Sequence, residues 1–230
     1  MTLQGIDLSS NNGSVNLNKV SAPIVISKLT GGLDYFWKNN LIDESLKAHK
    51  LAGAYHFEDE YHVHSKIKEQ AYYFFKHFKP YMEKVLPILD YEVPLNDKIF
   101  TQHDINRIDT FCREFKRLSG VNCVVYCSKS LIWNHTITDY LKHNNMFWFA
   151  QYADLKATGY QSKPWTDKHV LDVSVIGQQY TPNGRVTGVN GAVDLSIFYI
   201  NSENWKKSCV NGAVDLSIFY ITSENCKKSC

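Results

Sequence analysis

Four acidic residues stand where carboxylates are costly. Asp7 in GIDLS, Asp90 and Glu92 in PILDYEV, and Asp194 in GAVDLS each follow apolar residues, an expensive position unless something uses the charge. Asp90 and Glu92 are two apart, so on a strand they point to one side and Tyr91 to the other. Carboxylates facing one cleft repel, which lets one of them keep its proton at neutral pH. Glycoside hydrolysis needs that division, with an acid to protonate the leaving oxygen and an anion to support the oxocarbenium ion. Singly, each acid could be a strand-end cap or an ion-pair partner; the four together point to a site. Aromatics gather near the same segments: Tyr55 and Phe57 in AYHF, Tyr126 in VVYCS, Trp148 and Tyr152 in FWFAQY, and Tyr180 in GQQY. Sugar rings stack their C–H faces on aromatic planes. Tyr55, Tyr126 and Trp148 are read as cleft residues, Phe57 and Phe147 as core.

The elements that must position these groups alternate between strand and helix. Runs of β-branched and aromatic residues mark strands at Gln4–Ser9, Ile24–Leu29, Ala52–Phe57, Val85–Tyr91, Val121–Cys127, Phe147–Tyr152, Val173–Tyr180 and Val193–Phe198. Helical spacing appears before Gly53, between Ile67 and Pro80, and from Thr101 to Leu118 with Gly120 as its stop. Such alternation predicts parallel strands joined by crossovers, hence an α/β fold: an eight-stranded TIM-like barrel, with an open doubly wound sheet as the alternative. In a barrel the strand ends converge on one face, where the active site is built. Helical signals fade after about residue 145, so the last strands are expected to be joined by loops.

Composition narrows the function classes. The 230 residues are 44% hydrophobic and 21% charged, with 25 Lys+Arg against 23 Asp+Glu. A net charge of +2 provides no strong field for nucleic acid or an anionic membrane. No apolar run approaches the ~20 residues of a membrane span, and the N-terminus lacks the pattern of a secretory signal. Cys112, Cys123 and Cys127 read as core thiols, and the six cysteines form no CxxC pair. His56, His62 and His64 lie beside Glu58, Asp59 and Glu60, but their spacing fits no standard ligand set; a polar loop is expected there and no metal. Residues 189–209 recur almost unchanged as 210–230, differing only at Asn201/Thr222 and Trp205/Cys226. Two copies make no solenoid, and one closing strand is all a barrel accepts. Residues 1–209 are therefore expected to form the barrel and 210–230 to lie outside it.

The ordered series GIDLSSNNG, VISKLTGG, GAYHF, ILDYE, VVYCS, FWFAQY, GQQY and GAVDLS resembles the glycoside hydrolase family 25 lysozymes over about residues 4–200. The resemblance implies a barrel with few helices in its second half and cleavage of the β-1,4 bond between N-acetylmuramic acid and N-acetylglucosamine, without a cofactor. It implies Glu92 as general acid, Asp90 as the carboxylate assisting the anomeric centre or orienting the N-acetyl group, and Asp7 and Asp194 as flanking acids. Tyr55, Tyr126, Trp148, Tyr152 and Gln179 are expected to bind substrate. Two positions depart from the family pattern. Gly31 follows Lys28-Leu29-Thr30 where a Glu is common, and Gly177-Gln178-Gln179-Tyr180 lacks the usual Trp. The expected partner is the peptidoglycan strand, met by a monomer, with no nucleic acid and no membrane. The expected route is synthesis in the cytoplasm and action on the wall after holin-type release, lysis or non-classical secretion. The rivals are an inactive wall-binding barrel and a barrel hydrolase acting on chitin-like polymers.

Overall fold

Consecutive apolar residues, rather than strict alternation, fill most of the strand segments, the pattern of strands covered on both faces. The computed structural model describes residues 2–37, 40–58, 66–92, 100–167 and 169–212. Its elements are β1 (Leu3–Leu8), β2 (Ile24–Gly31), β3 (Tyr35–Phe36), α1 (Leu41–Lys47), β4 (Leu51–Phe57), α2 (Ile67–Phe78), β5 (Val85–Asp90), α3 (Gln102–Ser119), β6 (Val124–Ser128), α4 (Lys129–Asn134), α5 (Asp139–Asn144), β7 (Met146–Ala150), β8 (Ser174–Gly184), β9 (Val193–Phe198) and α6 (Ser202–Asn211). Each strand read from the sequence is present, and β3 adds a short arm to β2. The order β1-β9-β8-β7-β6-β5-β4-β2 closes through a β1–β2 pairing, giving an eight-stranded barrel.

The strands from β1 through β8 that form the barrel pair in parallel with their neighbours. The last strand corrects the all-parallel expectation, because β9 runs antiparallel to both β8 and β1. The cause is the connection: residues 185–192 are too few for the crossover of roughly a dozen residues that a parallel partner needs. Among the described residues no helix stands between β7 and β8. Residues 151–167 cover the outside of β8 instead, held where Gln178 Nε2 donates to the carbonyls of Gln151 (3.0 Å) and Trp165 (2.8 Å).

Inside the barrel, Ile24, Ile26, Leu86, Ile88, Val124, Met146, Ile176 and Phe198 form a continuous apolar cluster. Phe198 needs bare backbone around it: a Cβ on Gly5 or Gly177 would come within 2.5 Å of its ring. Helix α6 seals the end at which β4 begins. Trp205 and Cys209 pack into the inner cluster, the Trp205 indole N–H donates to the Ala52 carbonyl (3.3 Å), and its ring meets Phe198 edge-on at 5.4 Å.

Outside the barrel, α2 and α3 pack a ladder of Phe74, Phe78, Phe111 and Phe115 against the strands. Helix α3 begins with the Thr101/Asp104 capping box and ends at Gly120, whose φ of 77° suits glycine. Cys112, Cys123 and Cys127 are buried free thiols, with the Cys112 and Cys123 sulfurs 3.5 Å apart.

A polar chain runs through this outer layer. Thr30 Oγ1 lies 2.9 Å from His56 Nδ1, His56 Nε2 lies 3.0 Å from Gln70 Oε1, and Gln70 donates to Glu58, which pairs with Arg107. The expectation of a polar loop is thus corrected at His56 and Glu58. Both are buried, because α2 and α3 cover the outer face of β4 and supply their partners. His62, His64, Asp59 and Glu60 lie outside the described residues.

Trp205 is one of the two positions where the repeated segments differ, with Cys226 as its counterpart. Trp205→Cys empties the seal beneath the barrel and should lower the unfolding free energy by about 3–5 kcal/mol in urea denaturation. A loss below about 1 kcal/mol would show that this ring does not close the barrel end.

Candidate active site

The strand alternation that buries apolar residues also aims the acids. On β1, Ile6 and Leu8 face outward into an outer cluster while Asp7 faces the barrel axis. On β5, Leu86 and Ile88 lead inward to Asp90. Tyr91 turns away, donating from its hydroxyl to Asp104 Oδ1 (2.7 Å) at the start of α3. Antiparallel pairing sets Asp194 of β9 directly across from Asp7. A row of register partners, Phe57, Asp90, Tyr126 and Trp148, runs around the barrel beside them.

The result is a cleft of about 230 Å³ in which all nine residues singled out from the sequence meet: Asp7, Tyr55, Asp90, Glu92, Tyr126, Trp148, Tyr152, Gln179 and Asp194. Pro182 adds to its wall. Gln179 is the hub. Its Oε1 accepts from the Tyr126 hydroxyl (2.8 Å) and from the Tyr152 hydroxyl, and its Nε2 donates to Asp7 Oδ2 (3.0 Å). Trp148 donates from its indole N–H to Ser196 Oγ (3.1 Å), and its ring centroid lies 4.4 Å from that of Tyr126. Tyr180, grouped with the cleft aromatics by sequence, faces the other side of β8, where its hydroxyl donates to Gln4 Oε1 (3.1 Å). Phe57, read as core, is half-buried at the rim with the Lys28 ammonium 4.5 Å from its ring.

Crowding raises the pKa of every acid in the cleft. Burial lifts Asp7 well above the usual carboxylate value, Asp194 pushes it further, and the hydrogen bond from Gln179 opposes them. Burial, then Glu92 and Asp7, lift Asp90, while Lys28 pulls it down. Glu92 is reached by solvent at the cleft mouth, yet the walls withdraw enough water to raise it against the opposing pull of Asp90 and Lys28. Asp194 is pushed up to about 6, chiefly by burial. Among the described residues, Asp90 Oδ1 is buried with no hydrogen-bond partner. Such an arrangement makes each carboxyl hold its proton more tightly than a solvated one and leaves a buried acceptor oxygen facing the cleft.

Sequence reasoning missed three contributors. Lys28 lies two residues past inward-facing Ile26, a spacing that could have placed its charge in the cleft. Ser196, two residues past Asp194 on β9, was equally accessible to the alternation rule. The Glu58–Arg107 pair, 49 residues apart, left no local signal.

The chain matches the family described as glycosyl hydrolases family 25 over residues 6–189. Asp7, Asp90 and Glu92 fall inside that span, while Asp194 lies past its end. Among solved structures, the chain is similar to a bacterial lysozyme from Streptomyces coelicolor, 25% identical over 91% of this chain and 97% of that one, with a TM-score of 0.72. A family 25 glycosyl hydrolase from Bacillus anthracis is 21% identical, with coverage of 89% and 92% and a TM-score of 0.69. A family 25 lysozyme from Aspergillus fumigatus is 21% identical, with coverage of 91% and 100% and a TM-score of 0.70. The last two show a shared fold. No curated protein matches the chain.

The raised acids carry a stability signature. A carboxyl that binds its proton more tightly when folded loses stability as pH rises from its ordinary value to its folded one. For Asp194 that window runs from 3.8 to about 6. Asp194→Asn should therefore be more stable than the parent at pH 7 by about 1–3 kcal/mol, and the gap should close below about pH 4. Urea denaturation at the two pH values measures it, and a variant less stable than the parent at pH 7 would contradict it.

Proposed function

The chain belongs to glycosyl hydrolase family 25, and from that membership we propose a lysozyme that hydrolyses the β-1,4 bond between N-acetylmuramic acid and N-acetylglucosamine in bacterial peptidoglycan. The observation that carries this reading is the convergence of Asp7, Asp90, Glu92 and Asp194, all with raised pKa, in one aromatic-walled cleft. Glu92, whose pKa burial raises above the usual carboxylate value and which is open to solvent at the mouth, gives its proton to the glycosidic oxygen. Asp90, with a buried oxygen lacking a hydrogen-bond partner, supports the positive charge at the anomeric centre or orients the N-acetyl group. Asp7 and Asp194 sustain the field around that centre. Tyr126, Tyr152 and Gln179 hold Asp7 in place, and Trp148 with Tyr55 shapes the sugar-binding floor. Carboxylates suffice for this chemistry.

One chain supplies all four acids, which is compatible with an enzyme that meets the glycan strand of the cell wall as a monomer. Among the described residues no helix is long and apolar enough to cross a membrane. The catalytic unit is residues 1–209, with 210–230 outside the barrel. The difference between Trp205, which seals the barrel end, and Cys226 supports this division.

Digestion of purified peptidoglycan followed by mass spectrometry tests the bond assignment. Reducing-end muramic acid is expected, and reducing-end glucosamine would replace the muramidase by a glucosaminidase. Glu92→Gln keeps the shape without the proton and should lower lysis by about 10²–10⁴-fold in a folded protein. Near-normal lysis would remove Glu92 from its role. The division of the repeat is tested by Asp194→Asn, which should cripple lysis, and Asp215→Asn, which should leave it unchanged. The reverse ranking would assign the closing strand to the second copy.

A further inference from the structure

A second cavity, of about 200 Å³, lies next to the cleft on the outer side of β8, among Asp154, Lys156, Thr158, Gln161, Trp165 and Tyr180. The two hollows share a thin wall. Tyr152 and Pro182 line the cleft, while their chain neighbours Ala153 and Thr181 line this cavity. We propose that it is a remote glycan subsite, taking an uncharged sugar unit of the same strand whose scissile bond occupies the cleft; this rests on the lysozyme reading above.

The cavity is built, not a chance gap. Its outer wall is held like a strand, where the Thr158 amide donates to the Asn183 carbonyl (3.3 Å) and the Arg185 amide to the Thr158 carbonyl (2.8 Å). The Tyr180 hydroxyl accepts from the Gln161 amide (3.1 Å) and fixes the floor. The Trp165 backbone is pinned by Gln178 (2.8 Å), yet the residue remains 52% exposed. A large apolar ring anchored through its backbone and left open to water is a surface on which a sugar C–H face stacks. Asp154 and Lys156, 3.9 Å apart and both open to solvent, offer acceptor and donor for hydroxyl and acetamido groups. Their charges cancel, which favours a neutral sugar over the carboxylates of a stem peptide.

Kinetics on three substrates tests this: long, peptide-free glycan strands, the same strands bearing stem peptides, and a peptide-free tetrasaccharide of the same sugars that spans the cleft alone. Trp165→Ala should raise KM for the long strands roughly fivefold to tenfold with kcat unchanged, and leave the tetrasaccharide unaffected. Trp165→Tyr should restore most of the loss. An unchanged KM on long strands would overturn the subsite, as would an equal loss on the tetrasaccharide. A loss seen only with peptide-bearing strands would overturn it in favour of the stem peptide. Failure of the unaltered enzyme to cleave any of the substrates would instead remove the lysozyme reading, and this proposal with it.

Discussion

Four carboxyl groups crowded at one end of a closed barrel repel one another and resist losing water, and much of the surrounding structure answers that strain. Burial alone would leave them protonated and inert. Gln179 moderates Asp7 by donating to it, and does so in one orientation because Tyr126 and Tyr152 both donate to its carbonyl. Lys28 moderates Asp90 and Glu92 from β2, across the intervening β4. Without such counterweights burial and mutual repulsion would lift the acids further, and with more of them the lift would be lost.

The same tension explains why the strand ends are tied so firmly from outside. The Glu58 amide donates to the Asp90 carbonyl (2.9 Å) and the Tyr91 amide to the Tyr126 carbonyl (2.9 Å), extending the sheet beyond the regular strands. The Tyr91 side chain continues to Asp104, and Glu58 continues to Arg107, so α3 braces both anchors. Thr30, His56 and Gln70 link this brace back to β2. A buried ion pair is weak evidence of net stability. Its place here, one residue from the end of β4 and bonded to the backbone of Asp90, fits a role in fixing the geometry of the acids.

The fold was legible because its signals are local. Apolar runs bounded by turns located the eight barrel strands, and the pattern Ile105, Ile108, Cys112 and Phe115 located α3. The direction of β9 was not, since it depends on the exact number of residues left between two strand ends. The cleft was legible through alternation along strands: Asp7, Tyr55, Asp90, Tyr126, Trp148 and Gln179 all sit on the inward register. Alternation also explains the misplacement of Tyr180, which follows Gln179 and so must face outward. Glu58 with Arg107 was invisible, because a pair on separate elements shows nothing in sequence until the fold brings it together. Helix α6 was missed for another reason. Its segment, SENWKKSCVN, is mostly polar, and only Trp205, Ser208 and Cys209 are buried along it.

The segment from Val193 to Cys209 joins the two ends of the barrel in one continuous stretch. Asp194 places an acid in the cleft, Ser196 holds Trp148 beneath it, Phe198 fills the interior, and Trp205 with Cys209 closes the far end. Each residue depends on the ones before it for its register, so the segment works as a unit and cannot be shared between two copies of itself. A second copy carrying Cys226 in place of Trp205 could offer the acid and the aromatic filler but would leave the seal undersized. The large indole, with its hydrogen bond to Ala52, fills the barrel end in a way that a cysteine at this place would not. The strand that carries Asp194 is thus tied, through packing rather than through the cleft, to a side chain at the opposite end of the barrel.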